Sequence, residues 1–335
     1  MASLVRTYRS NIVEGKGFLI LAILFGVIMR IIYLLNFQDL NISDGNGYLW
    51  QPMAWFFSNP FVSLAVSTVL TGGMAFFAAH INTEFLLIRN KTIYPPAFII
   101  LLFSCHPSFA FMSAEYISAF LALYTIALLF SSYNEGGKQT RIFKASFILA
   151  VGSLFTPVVF VYLPILWLAY GIMRHFNSKS IPASILGVFI VYFPAFSYYF
   201  LSGDLNAFLQ PFTSISPGTL SELPIFNYTV VQWIVLAYSI LLLIIIISDN
   251  YINRHKDKIK IRAYINLLTI ILILAITITM LLNITPIVSI FISLIIGSLL
   301  LSHFFALAEK SVTVIFFLFS VIFYVLVCFL PFLSL

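Results

Sequence analysis

Four ionisable residues of this 335-residue chain lie where chemistry at a membrane surface could use them. Asp39 and Asp44 lie in the polar stretch 38–57, which carries no Lys or Arg. Glu115 lies in a short turn between two later apolar segments, and Arg30 lies nine residues before Asp39. A carboxylate can take a proton from a hydroxyl or bind a metal ion, and a guanidinium can hold a phosphate through two hydrogen bonds. These residue types predict proton transfer beside a bound phosphate.

Asp44 is the stronger candidate of the two aspartates because of its position in the loop. It opens the turn Asp44-Gly-Asn-Gly-Tyr48, which leads into the aromatic run 50–57. A polar turn that runs into an aromatic segment is typical of a catalytic loop beside an interfacial helix, and Tyr48 would then contact the substrate. The alternative is a solvated aspartate that only forms the turn. Asp39 is expected to assist.

The other candidates also have structural alternatives. The helix dipole alone would favour Glu115 at the start of a membrane helix. A charge inside a span is costly and by default points to function, but Arg30 could instead extend its side chain to the lipid headgroups. His106 is a candidate for substrate contact, although a histidine beside Pro107 is more often packed and hydrogen-bonded.

The composition limits the class of protein. Hydrophobic residues make up 61% of the chain and charged residues 8%, against roughly 25% in soluble domains. We therefore expect an all-α, polytopic membrane protein with a single domain over 1–335. The net charge of +6 comes from basic residues in short loops, so nucleic-acid binding is not expected. The sequence has no nucleotide-binding loop, hydrolase signature or Cys/His metal motif, so energy must come from an ion gradient or a lipid-linked donor.

Hydropathy and proline positions predict about eleven membrane segments. The apolar stretch 142–173 is too long for one ordinary span, and Pro157 should break it into a hairpin of two short helices. A single crossing would instead place Arg174 and Lys179 outside. The predicted segments are roughly 17–36, 61–82, 95–112, 116–133, 143–154, 157–173, 182–202, 229–248, 264–282, 286–304 and 311–333.

The distribution of charge sets the expected orientation. With these spans, sixteen of the seventeen Lys and Arg residues fall on one side, and Arg30 is the exception. The charged residues in the loops of the other side are all acidic: Asp39, Asp44, Glu115, Asp204 and Glu222. The positive-inside rule then predicts a cytosolic N-terminus and a C-terminus on the other side of the membrane. Cys105 and Cys328 fall in apolar segments, and His80 and His303 near cytosolic ends, where structural roles are expected.

Three features together resemble the GT-C class of integral-membrane glycosyltransferases, which transfer a sugar from a polyprenyl-phosphate carrier outside the cytosol. They are the acidic first outer loop, the pattern PPAFIILLFSCHPSFAFMSAEYISAFLALYTIALLF, and the hairpin FILAVGSLFTPVVFVYLPILWLAYGIM. The resemblance covers roughly 17–175 as a catalytic half and leaves 182–333 as a C-terminal helical half. The chain departs from many members at Leu154-Phe155-Thr156-Pro157, where they place a basic residue. Its composition is also reminiscent of small membrane proteins of Bacteroidetes.

The resemblance implies roles for the candidate residues. Asp44 would be the catalytic carboxylate of an inverting displacement, and Asp39 and Glu115 would position the acceptor or a divalent metal. Arg30 would bind the donor phosphate, and Tyr48 and His106 would contact the substrates. The prenyl chain would lie between the spans. The sugar, the acceptor, the need for metal and the oligomeric state are left open.

Two other classes of function also fit the sequence. A transporter or flippase for a lipid or small solute would use broken helices at mid-membrane, for which the Thr156-Pro157 break and His106 give support. A scaffold subunit would use the outer loops only for docking. The glycosyltransferase hypothesis predicts that Arg30, Asp44 and Glu115 approach one outward-facing cavity.

Overall fold

A computed structural model describes residues 2–37, 45, 47–90, 92–134, 139–174, 176–213, 228–281 and 287–334. The described residues form helices and no strands, which confirms the predicted all-α class. The α-helices, in chain order, are α1 Ala2–Tyr8, α2 Gly17–Asn36, α3 Pro60–Phe85, α4 Tyr94–Leu102, α5 Ala114–Ser131, α6 Gln139–Phe155, α7 Leu163–Ile172, α8 Ser180–Leu201, α9 Leu205–Thr213, α10 Val230–Ile252, α11 Ile259–Leu281, α12 Ile287–Ala306 and α13 Ser311–Phe329.

Eight of these helices are long and apolar enough to cross a membrane: α2, α3, α5, α8, α10, α11, α12 and α13. A helix satisfies its backbone polar groups internally, which is what a lipid environment requires. These helices are consistent with a multi-pass membrane protein. The higher count of about eleven stays a prediction.

The two ends of the bundle differ in their charged residues. At one end Tyr8 donates to the carbonyl of Phe305, and Nζ of Lys256 lies 2.8 Å from a Glu309 carboxylate oxygen. We name this the basic end; it holds Arg9, Arg89, Arg141, Lys256 and Arg262. The opposite end, named the far end, comprises 47–58, 113–115 and 202–213. Among the described residues no Lys or Arg lies at the far end.

Helices α5 and α12 form the centre of the bundle. In their most apolar windows 67% and 72% of residues are buried, against 17% for both α8 and α10, which therefore lie at the periphery. Aromatic side chains join the two central helices, with the rings of Tyr116 and Phe291 centred 4.7 Å apart. The first turn of α5 is thus held by the best-packed part of the protein.

The predicted hairpin is confirmed. Helix α6 ends at Phe155, a 3-10 helix runs over Pro157–Tyr162, and α7 comes next. Asn134 precedes α6 and Met173 follows α7, and the amide of Asn134 donates to the carbonyl of Met173 at 3.1 Å. The hairpin therefore begins and ends at the same end of the bundle. Proline at 157 cannot donate to the carbonyl one turn earlier, which ends α6 there.

The predicted third span over 95–112 is wrong as a continuous helix. Helix α4 ends at Leu102, and the segment 103–113 is irregular apart from a 3-10 turn over Pro107–Phe109. Pro107 disfavours a helical residue before it, and His106 is extended, with φ −148°. We name 103–113 the broken segment. Its buried backbone needs hydrogen-bond partners, and one of them is Ser63, whose hydroxyl accepts from the amide of Met112 at 2.7 Å.

Candidate functional site

Arg30 is buried, with 4% of its surface exposed, and it does not extend to the bundle surface. Its Nη1 atom donates to the hydroxyls of Ser67 at 2.8 Å and Thr68 at 3.0 Å, and Nη2 donates to Thr71 at 2.8 Å. Arg30 lies six residues before the end of α2 and Ser67 seven residues after the start of α3. At ~1.5 Å per residue both are about 10 Å below the far end.

The same guanidinium also binds the broken segment. Nη1 lies 3.3 Å from the carbonyl oxygen of Ala110, and Nη2 lies 3.5 Å from that of Phe109 and 3.4 Å from the hydroxyl of Tyr116. Carbonyls outside a helix are costly at membrane depth unless a donor reaches them. All the hydrogen-bond acceptors of Arg30 among the described residues are therefore neutral oxygens, and the cation joins α2 and α3 to the broken segment.

Glu115 lies in the first turn of α5, with 1% of its surface exposed. Ser113 precedes the helix in an extended conformation. The positive end of the helix dipole favours a negative charge in the first turn. The predicted position at a helix start is thus observed, but the carboxylate is buried in protein. Charges of this kind are retained where neighbouring groups stabilise them.

The end of the acidic loop lies between α5 and α6. A Cβ atom added at Gly45 would lie 3.2 Å from Cβ of Ala114, and one added at Gly47 would lie 1.9 Å from the carbonyl oxygen of Phe155. The amide of Leu49 donates to the carbonyl of Leu154 at 3.1 Å. Only glycine permits this close approach of loop backbone to the end of α6. The loop is therefore fixed beside the helix that begins with Ala114 and Glu115.

Asp39 and Asp44 lie outside the described residues, so the predicted convergence of Asp44 with Arg30 and Glu115 stays a prediction. Gly45 and Ala114 are in contact with each other. In the sequence, Asp44 adjoins Gly45 and Glu115 adjoins Ala114. The aromatic run after the turn is a series of turns and a 3-10 helix over Ala54–Phe57, rather than the longer interfacial helix expected. The ring of Trp50 stacks on Phe57 in the interior, with centroids 5.4 Å apart.

Tyr48 connects the loop to α8 and α9. Its hydroxyl donates to the carbonyl of Phe208, and its ring stacks on the Phe208 ring with centroids 5.8 Å apart. The Tyr199 ring lies 5.6 Å away on α8. These contacts place Tyr48 at one wall of a cleft of about 300 Å³, its open mouth included, which is lined by Tyr48, Gln51, Tyr199, Ala207, Gln210 and Pro211.

The cleft combines two kinds of recognition group. Tyr48 and Tyr199 offer aromatic faces together with hydroxyls, and Gln51 and Gln210 each carry an amide that can both donate and accept hydrogen bonds. Ligand sites in proteins typically pair an apolar wall with a few polar groups. The cleft therefore suits a small polar ring compound more than a hydrocarbon chain.

His106 is exposed at the edge of the broken segment. Its Nδ1 atom accepts a hydrogen bond from the amide of Ser108 at 3.2 Å, which caps the 3-10 turn. The nitrogen that remains, Nε2, is the one a substrate could reach. The structure thus gives His106 the local structural role that was the alternative, and leaves substrate contact as a prediction.

An apolar crevice of about 390 Å³, its open side included, lies among α5, α6, α7, α11 and α12. Its walls include Ala122, Leu149, Leu166 and Ile292, and the hydroxyl of Thr125 is one of its few polar groups. Ala122 is seven residues after Glu115, which puts it about 10 Å deeper at ~1.5 Å per residue. The walls of the crevice are almost entirely apolar.

Several functional groups were missed from the sequence. The hydroxyls around Arg30 had a signal, because Ser63, Ser67 and Thr71 repeat every four residues and so lie on one face of α3. Tyr199 and Gln210 had none, since nothing local indicates that they meet Tyr48. Among the described residues no group of three His, Cys, Asp or Glu side chains could hold a metal ion.

Comparison of the chain with models of known protein families, with curated proteins and with solved structures gives no match.

Proposed function

We propose that this protein is a membrane glycosyltransferase that moves a sugar from a polyprenyl-phosphate carrier to an acceptor at the far end. Asp44 acts as the general base toward the acceptor hydroxyl. Asp39 and Glu115 position the acceptor or a divalent metal, and Tyr48 and His106 contact the substrates. In this proposal the far end faces the periplasm of a bacterial inner membrane, and the basic end faces the cytosol.

The observation that carries the proposal is the packing of Gly45 against Ala114. Each of these two residues adjoins a candidate carboxylate in the sequence, Asp44 beside Gly45 and Glu115 beside Ala114. Two carboxylates close together can divide the work, one as base and one as a positioning or metal-binding group. Glu115 lies at the far end, where the described residues include no Lys or Arg.

The cleft and the crevice support the two substrates this reaction needs. The cleft at Tyr48 has the aromatic and amide groups that suit a sugar ring, and the crevice beside α5 has the apolar walls that a prenyl chain would contact. Arg30 lies about as deep below the far end as Ala122 of the crevice. A carrier phosphate would bind Arg30 by replacing neutral acceptors such as the hydroxyls of Ser67 and Thr71, because a charged acceptor makes the stronger hydrogen bonds.

A transfer assay with matched variants tests the proposal. Purified protein is given polyprenyl-phosphate sugars carrying a radiolabel, with a set of lipid and peptide acceptors. We expect Asp44→Asn to lower transfer at least 100-fold, since general-base catalysis contributes roughly 10²–10⁴-fold. Glu115→Gln should lower it by about 100-fold as well, because a misplaced substrate group reacts that much more slowly. The control is Asp204→Asn, which removes a far-end carboxylate but keeps the oxygen that accepts from the amide of Ala207 at 3.1 Å. Equal activity of all three variants would refute the proposal.

The broken segment favours a second candidate function, a lipid or solute transporter. Transporters use interrupted helices and buried charges at membrane depth to bind cargo, and here Phe109 and Ala110 present carbonyls to Arg30. Flux of a fluorescent polyprenyl phosphate across proteoliposomes separates the two candidates. Flux without any sugar transfer, abolished by Arg30→Gln, would favour the transporter.

A further inference from the structure

The two cysteines of the chain, which the sequence places 223 residues apart, lie together in the fold. Cys105 lies in the broken segment just after α4, and Cys328 lies in the last turn of α13. Both thiols donate to the same carbonyl oxygen, that of Tyr324, with Sγ at 3.6 Å for Cys105 and 3.1 Å for Cys328. With both sulfur atoms this close to one oxygen, they lie within about 6.7 Å (3.6 Å plus 3.1 Å) of each other.

The backbones around the thiols are held close as well. The Tyr33 hydroxyl oxygen lies 2.9 Å from the carbonyl oxygen of Cys328 and 3.2 Å from that of Ser104, the residue before Cys105. Tyr33 therefore joins the two segments that carry the thiols.

We propose that Cys105 and Cys328 form a disulfide in the mature protein. A disulfide needs two cysteines whose Cβ atoms lie about 3.5–4.5 Å apart. Two sulfur atoms that both contact the carbonyl oxygen of Tyr324 can be joined by rotation of the side chains and a small shift of the irregular turn at Cys105. The bond joins the broken segment to the last membrane helix. This inference rests on the orientation in the proposed function, in which the far half of the bundle faces an oxidising compartment. Both cysteines lie in that half.

The chemistry is a thiol–disulfide exchange with a disulfide-donating oxidant of that compartment. One cysteine loses its proton, and its thiolate attacks a sulfur of the donor disulfide, which releases one donor thiolate. The second cysteine thiolate then attacks this mixed disulfide, which releases the other donor thiolate. Two protons leave the cysteines and two electrons pass to the donor, which ends as a dithiol. Because Cys105 is 7% and Cys328 0% exposed, the exchange takes place before the helices finish packing.

A gel-shift assay tests the disulfide without reference to catalysis. Membranes are denatured in detergent together with a polyethylene-glycol maleimide, with and without prior reduction. We expect the unreduced wild-type chain to take no label and the reduced chain to take two. The matched controls Cys105→Ser and Cys328→Ser each take one label whether or not they are reduced, which shows that both thiols react once the chain is unfolded.

Two labels on the unreduced wild-type chain would overturn the proposal. If the disulfide is present, reduction should also lower the melting temperature by on the order of 5 °C, because a bond that closes so long a loop strongly restricts the unfolded chain. Cys105→Ser should melt at the temperature of the reduced wild type. Since the label count does not depend on activity, it distinguishes failure of this inference from failure of the proposed transfer reaction.

Discussion

The guanidinium of Arg30 lies 2.8 Å from the hydroxyl of Ser67, on a neighbouring helix and at the same depth below the far end. The same side chain reaches two carbonyls of the broken segment. A single cation thus holds α2 and α3 against the broken segment, and this segment leads to Glu115. It is a positioning residue for the first turn of α5, whatever further part it takes in binding a phosphate.

Replacement of Arg30 by leucine should destabilise the protein by about 3 kcal/mol or more, because the buried hydroxyl oxygens of Ser67 and Thr71 would each lose a charged donor. Arg30→Lys should recover part of the loss, since an ammonium has fewer donors and a shorter reach. Thermal melting in detergent measures both. The control is Arg6→Leu, at an exposed position of α1. A melting curve of Arg30→Leu equal to that of the control would contradict this role.

Much of the fold was predictable from local features. Apolar length predicted the long helices, and Pro157 predicted the hairpin, because proline acts on the residues next to it. The break after Leu102 was missed because the segment around Pro107 is almost as apolar as a helix, and hydropathy does not report backbone shape. The depth of Arg30 could be counted, but its acceptors come from residues 37 to 86 positions away, and such contacts leave little local trace.

Gly47→Ala tests the docking of the acidic loop. The added methyl group would lie 1.9 Å from the carbonyl oxygen of Phe155, and backbone at a helix end cannot easily move. We expect the loop to shift, the Leu49–Leu154 hydrogen bond to be lost and transfer activity to fall at least tenfold. Gly72→Ala is the control, because a Cβ there meets no atom within 4 Å and alanine favours the helix. Full activity of Gly47→Ala would show that this close approach does not matter for transfer.

Substitutions of Tyr48 separate its two contacts. Tyr48→Phe removes the hydrogen bond to Phe208 but keeps the stacked ring, and it should cost about 1 kcal/mol of stability with little change in KM. Tyr48→Ala removes the wall of the cleft and should raise the KM for the sugar substrate severalfold. Tyr198→Ala, at a neighbouring residue that is 69% exposed, serves as control. If both alanine variants have the same KM, the cleft is not a substrate site.

Ser118 links the hairpin to the candidate site. Its hydroxyl lies 3.0 Å from that of Thr156 and 2.9 Å from the carbonyl oxygen of Gly152, one turn below Glu115. Ser118→Val would leave Thr156 buried with a lost partner and should destabilise the protein by about 1–3 kcal/mol. Thr277→Val is the comparison, since that hydroxyl is exposed and bonds only to its own helix. Equal unfolding free energies for the two variants would argue against this link.

The central claim is that sugar transfer takes place at the far end and depends on its carboxylates. Vesicles of known orientation test it directly when the labelled donor and the acceptor are added from one side only. The cysteine variants Trp55→Cys and Lys258→Cys mark the far and basic ends for an impermeant maleimide, because both positions are exposed while the native cysteines are buried. We predict transfer only from the side on which Trp55→Cys is labelled, and none with Glu115→Gln. Transfer from the side of Lys258→Cys, or unchanged transfer by Glu115→Gln, would contradict the claim.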